Sequence, residues 1–331
     1  MVLFSFSAGE RKIMNHFVVN KEPKEPSMDY KALKWSVHDN PANPGEQAIG
    51  VIMLNRPDRL NAVDPLMRLE LDALCNEIAR NSIVKVVIVT GEGRGFCAGG
   101  DLTSEGEVLG AFKGSMGITG PYKEMAEFFF NDLRHRVLQS AMRKLEDLPQ
   151  VTIAAINGPA VGVGLEMATL CDMRIASDRA RLGEVAVPAG FVPESGGARN
   201  LPKLVGIGRA MRLILTGEII DAKEALRIGL VDEVVRHGKL LDTAFGLAAK
   251  IAANPYLSVR QAKRLVKMYW NWNRTDEGYQ QELEAVLEIT RTKDCQEGMR
   301  AFAEKRQPRY SYPYEAGWPF PSKAATTKKK R

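Results

Sequence analysis

The sequence predicts an α/β fold. Three observations carry that reading: apolar runs of strand character that end at glycine or turn residues, helix-period stretches between them, and a composition able to fill a large core. The chain has 331 residues, 45% of them hydrophobic and 26% charged. That length fits one large domain or two ordinary ones, and the composition excludes collagen-like, mostly disordered and disulfide-scaffold classes.

Residues 1–28 read as an N-terminal arm, with two prolines among alternating charges at its end. The run AIGVIMLNRP then gives an apolar strand closed by a turn, MRLELDALCNEIARN a helix, and VKVVIVTGEG a β-branched strand ending in glycine. A second unit starts with VTIAAINGPA, turns through glycines into the apolar helix GLEMATLCD, and continues into the short strand MRIAS. Repeated crossovers of this kind favour buried strands covered by helices. Between the two units, residues 103–150 begin as a glycine-rich loop or lid. They continue as YKEMAEFFFNDLRHRVLQSAMRKLEDL, one long helix or two short ones, with Phe128, Phe129 and Phe130 as packing residues. Downstream, AMRLILTG, DAKEALRIG and LLDTAFGLAAKIAAN are helical, and the chain stays mainly helical from Leu257 until Pro308, Pro313 and Pro319. The final AATTKKKR has no apolar face to bury and reads as disordered.

The net charge of +6 hints at a polyanionic partner, but Lys323, Lys328, Lys329, Lys330 and Arg331 supply five units of it and residues 1–28 the sixth. Residues 29–320 are neutral overall, so the charge marks a tail and not a binding face. No run of eighteen apolar residues spans a bilayer, and no signal peptide is recognised. Cys75, Cys97, Cys171 and Cys295 are dispersed without a C-x-x-C pair, which points to buried or inert thiols. His16, His38, His135 and His237 are equally scattered and read as surface or hydrogen-bonded structural residues.

Two segments carry chemistry. GRGFCAGGDLT, residues 93–103, follows a strand, and its glycines let backbone amides approach a ligand while Asp101 is placed to cap a following helix. INGPAVGVGLEMATLCD, residues 156–172, repeats the pattern of strand, glycine turn and helix. Backbone N–H groups near Val163 would there supply the second half of an oxyanion hole, with Glu166 at the same helix entrance.

With LNRPDRLNAVD, GRGFCAGGDL, IAAINGPAVGVGLEMATLCD, VPESGGARNLPKLVG, LTGEIIDAKEALRIGLVDEVV and EGMRAFAEKRQPRY in this order, the chain resembles the crotonase superfamily of enoyl-CoA hydratases and isomerases over about residues 30–310. The resemblance implies a crotonase-like spiral of repeated ββα units over residues 29–256, a helical assembly region over 257–310 and a basic tail over 311–331. It implies an acyl-CoA thioester as substrate, with coenzyme A as its carrier and no separate cofactor or metal. The thioester oxygen would lie between the main-chain N–H groups of Gly100 and Val163. Arg59, Leu60, Ala62, Ala98 and Leu102 would border CoA, and Phe302 and Lys305 would close over it, frequently from a neighbouring subunit of a homotrimer or a dimer of trimers.

Two departures from the family pattern stand out. Val163 replaces the usual glycine, which a main-chain donor tolerates. Ala186 stands where family hydratases carry the second glutamate, partner of the one matched by Glu166. An acid returns at Glu194, the position of the catalytic acid in some family isomerases. The expected activity is therefore that of an enoyl-CoA isomerase or hydratase working through an enolate, with isomerisation slightly preferred and Glu194 acting with Glu166. Acyl-CoA or carbon–carbon bond hydrolysis is an alternative, and a non-catalytic RNA-binding or scaffold protein is another. The expected location is the cytoplasm.

Overall fold

A computed structural model describes residues 29–41, 43–101, 135–271 and 292–310, apart from the side chains at 43, 44, 271, 302 and 303. The N-terminal arm, Leu102, the Phe128–Phe130 run and the basic tail lie outside the described residues.

Six strands form the main sheet in the order β1-β2-β3-β4-β6-β9. They are β1 (Leu33–Asn40), β2 (Asn43–Leu54), β3 (Val86–Gly91), β4 (Val151–Ile156), β6 (Met173–Ser177) and β9 (Glu233–Val235). Only β1 runs antiparallel, in a hairpin with β2; the others pair in parallel. Parallel pairing requires crossovers, and the first is helix α1 (Pro65–Arg80), opened by Asp64 accepting the Met67 N–H at 2.8 Å. Residues 135–146 form α2, which leads into β4.

A second sheet has the order β5-β7-β8, from β5 (Pro159–Val161), β7 (Arg181–Gly183) and β8 (Ile219–Asp221). Two isolated parallel bridges, Val63 with Gly100 and Cys97 with Ala160, prolong it. The motif loops thus become extra strand-like pieces of the same layer. Each main-sheet strand of the middle turns sends its chain into this layer before a helix: β4 into β5 and α3 (Val163–Leu170), β6 into β7 and α4 (Gly197–Val205). This is the α/β spiral of ββα-like units that the sequence predicts. The helices α5 (Ile207–Thr216), α6 (Ala222–Arg227), α7 (Leu240–Ala252), α8 (Tyr256–Asn271) and α9 (Lys293–Ala303) complete a helical C-terminal region.

Strands β3 and β4 are buried along their whole length because both faces are covered. One face, carrying Ile52, Leu54, Val87, Val89, Ala154 and Ile156, packs with α1, α2 and α3 into the larger core. The other, carrying Ile49, Val51, Ile88 and Ile153, meets α7. Ala244, Ala248 and Ala252 recur every four residues there, so the side of α7 facing the sheet is flat. Helix α8 is fastened by Lys263, whose ammonium lies 2.6 Å from Asp172 and 2.7 Å from the Gln150 carbonyl.

Cys75, Cys97 and Cys171 are buried, and burial pushes the Cys97 and Cys171 thiols up to about 12. They pack as small apolar residues. His38 hydrogen-bonds Ser36 and stands edge-on to Phe245, and His237 bonds Ser177.

Candidate active site

The two glycine motifs meet in the second layer. Phe96 and Cys97 N–H groups both donate to the Pro159 carbonyl, at 3.0 and 2.9 Å, and Val161 N–H returns a bond to the Cys97 carbonyl at 3.0 Å. On the other side, Val63 N–H donates to Gly99 at 2.8 Å and Asp101 N–H donates to Val63 at 3.0 Å. In this parallel pattern Gly100 is skipped, so its own N–H is aimed away from Val63. The entrance of α3 is seated directly on the same segment: a Cβ on Gly164 would stand 2.1 Å from the Cys97 carbonyl oxygen. A Cβ on Gly162 would lie 4.0 Å from the Gly99 Cα. Gly100 and Val163 each follow one of these touching glycines. Neither main-chain N–H has a hydrogen-bond partner among the described residues. For Val163 this is the ordinary state of a first-turn helical N–H, and it leaves a donor ready for a ligand.

Polar residues that the sequence reading passed over hold these loops. Asn61, fully buried and left-handed at φ 59°, accepts the Arg56 N–H and donates to the Glu92 and Gly95 carbonyls. Asn157 donates to the carbonyls of Gly91, Gly93 and Gly95. Arg56 reaches the Ala62 carbonyl at 2.5 Å, Asp101 at 2.7 Å and Asp64 at 3.2 Å. The Asp101 carboxylate pairs with Arg56, and the helix it was expected to cap lies outside the described residues.

Of the residues expected to border CoA, Arg59, Leu60, Ala62 and Ala98 form one continuous patch. Ala62 N–H donates to Arg59 and Ala98 N–H to Leu60, both at 3.0 Å. Arg59 is exposed and the other three are half-buried. Phe302 falls in the last turn of α9, and Lys305 is exposed in a left-handed turn just after it.

Three carboxyls gather around the start of α3. Glu166, 1% exposed, is clasped by Ser195 N–H at 3.2 Å from each oxygen and by Gly197 N–H at 2.9 Å. Burial raises its pKa, and the three backbone contacts oppose that rise. Glu194 immediately precedes this clasp, and its charge pushes Glu166 in the same direction as burial does. Its own carboxylate, about a quarter exposed, contacts His135 Nδ1 at the start of α2. His135 therefore belongs to the site, which its isolated place in the sequence concealed. The third carboxyl, Glu184, was also missed. It is as buried as Glu166, and burial and the neighbouring Glu166 push it up to about 8.

The chain matches the Enoyl-CoA hydratase/isomerase family over residues 44–313. It is 38% identical over 264 residues to the short-chain-enoyl-CoA hydratase of Clostridium acetobutylicum, covering 79% of this chain and 94% of that protein. It is 32% identical over 271 residues to the crotonyl-CoA hydratase of Syntrophomonas wolfei, with the same coverage of 79% and 94%. The crystal structure of an enoyl-CoA hydratase from Bacillus anthracis superposes with a TM-score of 0.71 at 34% identity, covering 85% of this chain and 99% of that one.

The chain belongs to the crotonase (enoyl-CoA hydratase/isomerase) superfamily. As a crotonase it is an enzyme with hydratase/isomerase-type chemistry on acyl-CoA substrates. Among its described residues, no helix is long and apolar enough to cross a membrane.

Proposed function

We propose that this crotonase shifts the double bond of an enoyl-CoA ester. In that reading the thioester oxygen sits between the N–H groups of Gly100 and Val163. Glu194 takes a proton from the carbon beside the thioester, and the electron pair moves onto the oxygen as an enolate. A proton then returns farther along the acyl chain and no atom is gained or lost. The observation that carries the preference is the substitution pattern around Glu166. Ala186 offers no acid there, whereas Glu194 adjoins the Ser195 N–H that clasps Glu166 and remains partly exposed. His135 contacts the Glu194 carboxylate and fixes where it stands. The patch of Arg59, Leu60, Ala62 and Ala98 would border CoA together with Leu102, with Phe302 and Lys305 closing from α9.

Hydration is the second reading, supported by the names of the two relatives, with Glu166 and Glu194 together placing a water. A panel of enoyl-, dienoyl- and 3-hydroxyacyl-CoA esters in ¹⁸O-water, with products weighed by mass spectrometry, separates the two. Isomerisation moves the double bond without taking up label. Glu194→Gln is expected to lower that turnover by roughly 10²- to 10⁴-fold, and unchanged turnover would reject the assignment of Glu194. Release of free CoA would instead mark a hydrolase. A chain that binds no CoA ester but binds RNA through its basic tail would leave the enzyme class altogether.

We also infer that the enzyme works as a homotrimer or a dimer of trimers. Ile207, Met211 and Leu215 recur every four residues on α5, and all three are exposed, as is Val192. An apolar stripe of that kind on a helix seeks a partner. Met211→Glu is expected to shift the sedimentation coefficient toward that of a monomer, and an unchanged coefficient would remove this face from the interface.

A further inference from the structure

The Glu184 carboxyl has no place in the chemistry described so far, yet its surroundings are unusual. Its side chain is 1% exposed, and neither carboxyl oxygen has a hydrogen-bond partner among the described residues. The Ala186 N–H approaches closely enough to temper the effect of burial without completing a bond. Buried polar groups are as a rule satisfied, and an ionised carboxylate left in this state would be costly.

Its location ties it to the oxyanion donors. The preceding residue, Gly183, accepts the Gly162 N–H at 2.9 Å, and the following residue, Val185, has a side-chain methyl 3.7 Å from where a Cβ on Gly162 would stand. Glu184 is thus held between two residues that flank the turn from which Val163 N–H departs. The charged groups that act on it are Glu166 from α3 and Glu194 from the loop before α4, and both are acidic. Burial, seconded by Glu166, holds it protonated at neutral pH, up to about 8. Glu166 feels the same neighbours but receives three backbone N–H contacts that favour its charged form. The two carboxyls therefore differ in their partners: backbone N–H groups hold Glu166, and none completes a bond to Glu184.

We infer that Glu184 is the resident carboxylic acid of this site and delivers the proton that quenches the enolate, the task left open by the alanine at 186. The inference rests on the enolate reading above. In the step, the enolate's carbon–carbon electron pair forms a C–H bond to the Glu184 proton as its O–H bond breaks. The thioester carbonyl reforms, and Glu184 is left as a carboxylate. The proton taken up earlier by Glu194 or Glu166 then passes to Glu184, restoring both groups. The same donor serves if the enolate arises by addition of water.

The full-length enzyme and its Glu184→Gln variant test this. The amide keeps the shape of the side chain and cannot give up a proton. E184Q is expected to lose about 100-fold or more in turnover of the enoyl-CoA ester that the wild type accepts, with affinity for a saturated acyl-CoA unchanged. Wild-type turnover is expected to fall as pH rises through about 8, because the proton to be delivered is then lost. An infrared spectrum at pH 7 should hold the carbonyl stretch of a protonated carboxylic acid that E184Q lacks. Should E184Q fail to fold, Glu184→Asp is expected to keep that band and part of the turnover. An active wild type matched by E184Q, or the absence of the band from the wild type at pH 7, overturns the role of Glu184 alone. A wild type inert toward every enoyl-CoA ester overturns the enolate reading and the delivery step with it.

Discussion

Glu166→Gln is expected to cut turnover of an enoyl-CoA ester by roughly 10²- to 10⁴-fold, the range typical for loss of a positioned acid or base. The expectation follows from how tightly this carboxylate is placed. It rises from the first turn of α3, one turn of chain from Val163, and the Ser195 and Gly197 amides grip it from the facing loop. Glutamine would preserve volume but turn an NH₂ toward at least one of those N–H donors. Leaving a buried donor unpaired costs about 1–3 kcal/mol, so a lowered melting temperature should accompany the kinetic loss. Titration with a saturated acyl-CoA is expected to show binding close to that of the wild type, since among the described residues the Glu166 carboxylate bonds Ser195 and Gly197 and not the residues proposed to border CoA. Retained kcat with a lowered melting temperature would reduce Glu166 to a structural residue.

Arg56→Ala is expected to have the largest effect on stability, about 3–5 kcal/mol, the range for breaking a buried ion pair by removing one partner. The guanidinium holds two stretches of chain, one at Ala62 and Asp64 and the other at Asp101, and Asp101 is only 7% exposed. Its removal takes a cation away from a buried carboxylate and also slackens the segment that carries Gly100. A urea midpoint measures the first effect. Asp101→Asn in the Arg56→Ala background should recover part of it, because a buried charge that has lost the Arg56 cation is then removed. No recovery would show that Arg56 works through the Ala62 carbonyl and not through charge.

The strands that sequence patterning identified are the ones buried on both faces. β2, β3, β4 and β6 read as unbroken apolar runs because helices and a second layer cover both sides. β1 escaped because LKWSVHDN mixes exposed polar residues with buried ones, as an edge strand does. β7, β8 and β9 have three residues each, too few to carry a period, and exist because neighbours pair with them. In the site, Glu166 and the two glycine turns were visible as strand, turn and helix. Arg56, Asn61 and Asn157 were not, since what they do is satisfy main-chain carbonyls and carboxylates that only folding brings near. The Asp101 ion pair with Arg56 was hidden for the same reason. His135 looked solitary because its companion lies 59 residues along the chain. Glu184 left one trace, an acid directly after the apolar end of a strand.

In the proposed reading the donors to the thioester oxygen belong to the main chain, Gly100 in a parallel bridge with Val63 and Val163 at the head of a helix. A survey that truncates side chains one by one would therefore pass over the strongest electrostatic feature of the site and credit its neighbours instead. Side-chain identity matters little to such a donor: Val163 offers the same N–H bond that a glycine in its place would. The chemistry of this enzyme is to that extent a property of its path, and only the carboxyls around it are free to be exchanged one residue at a time.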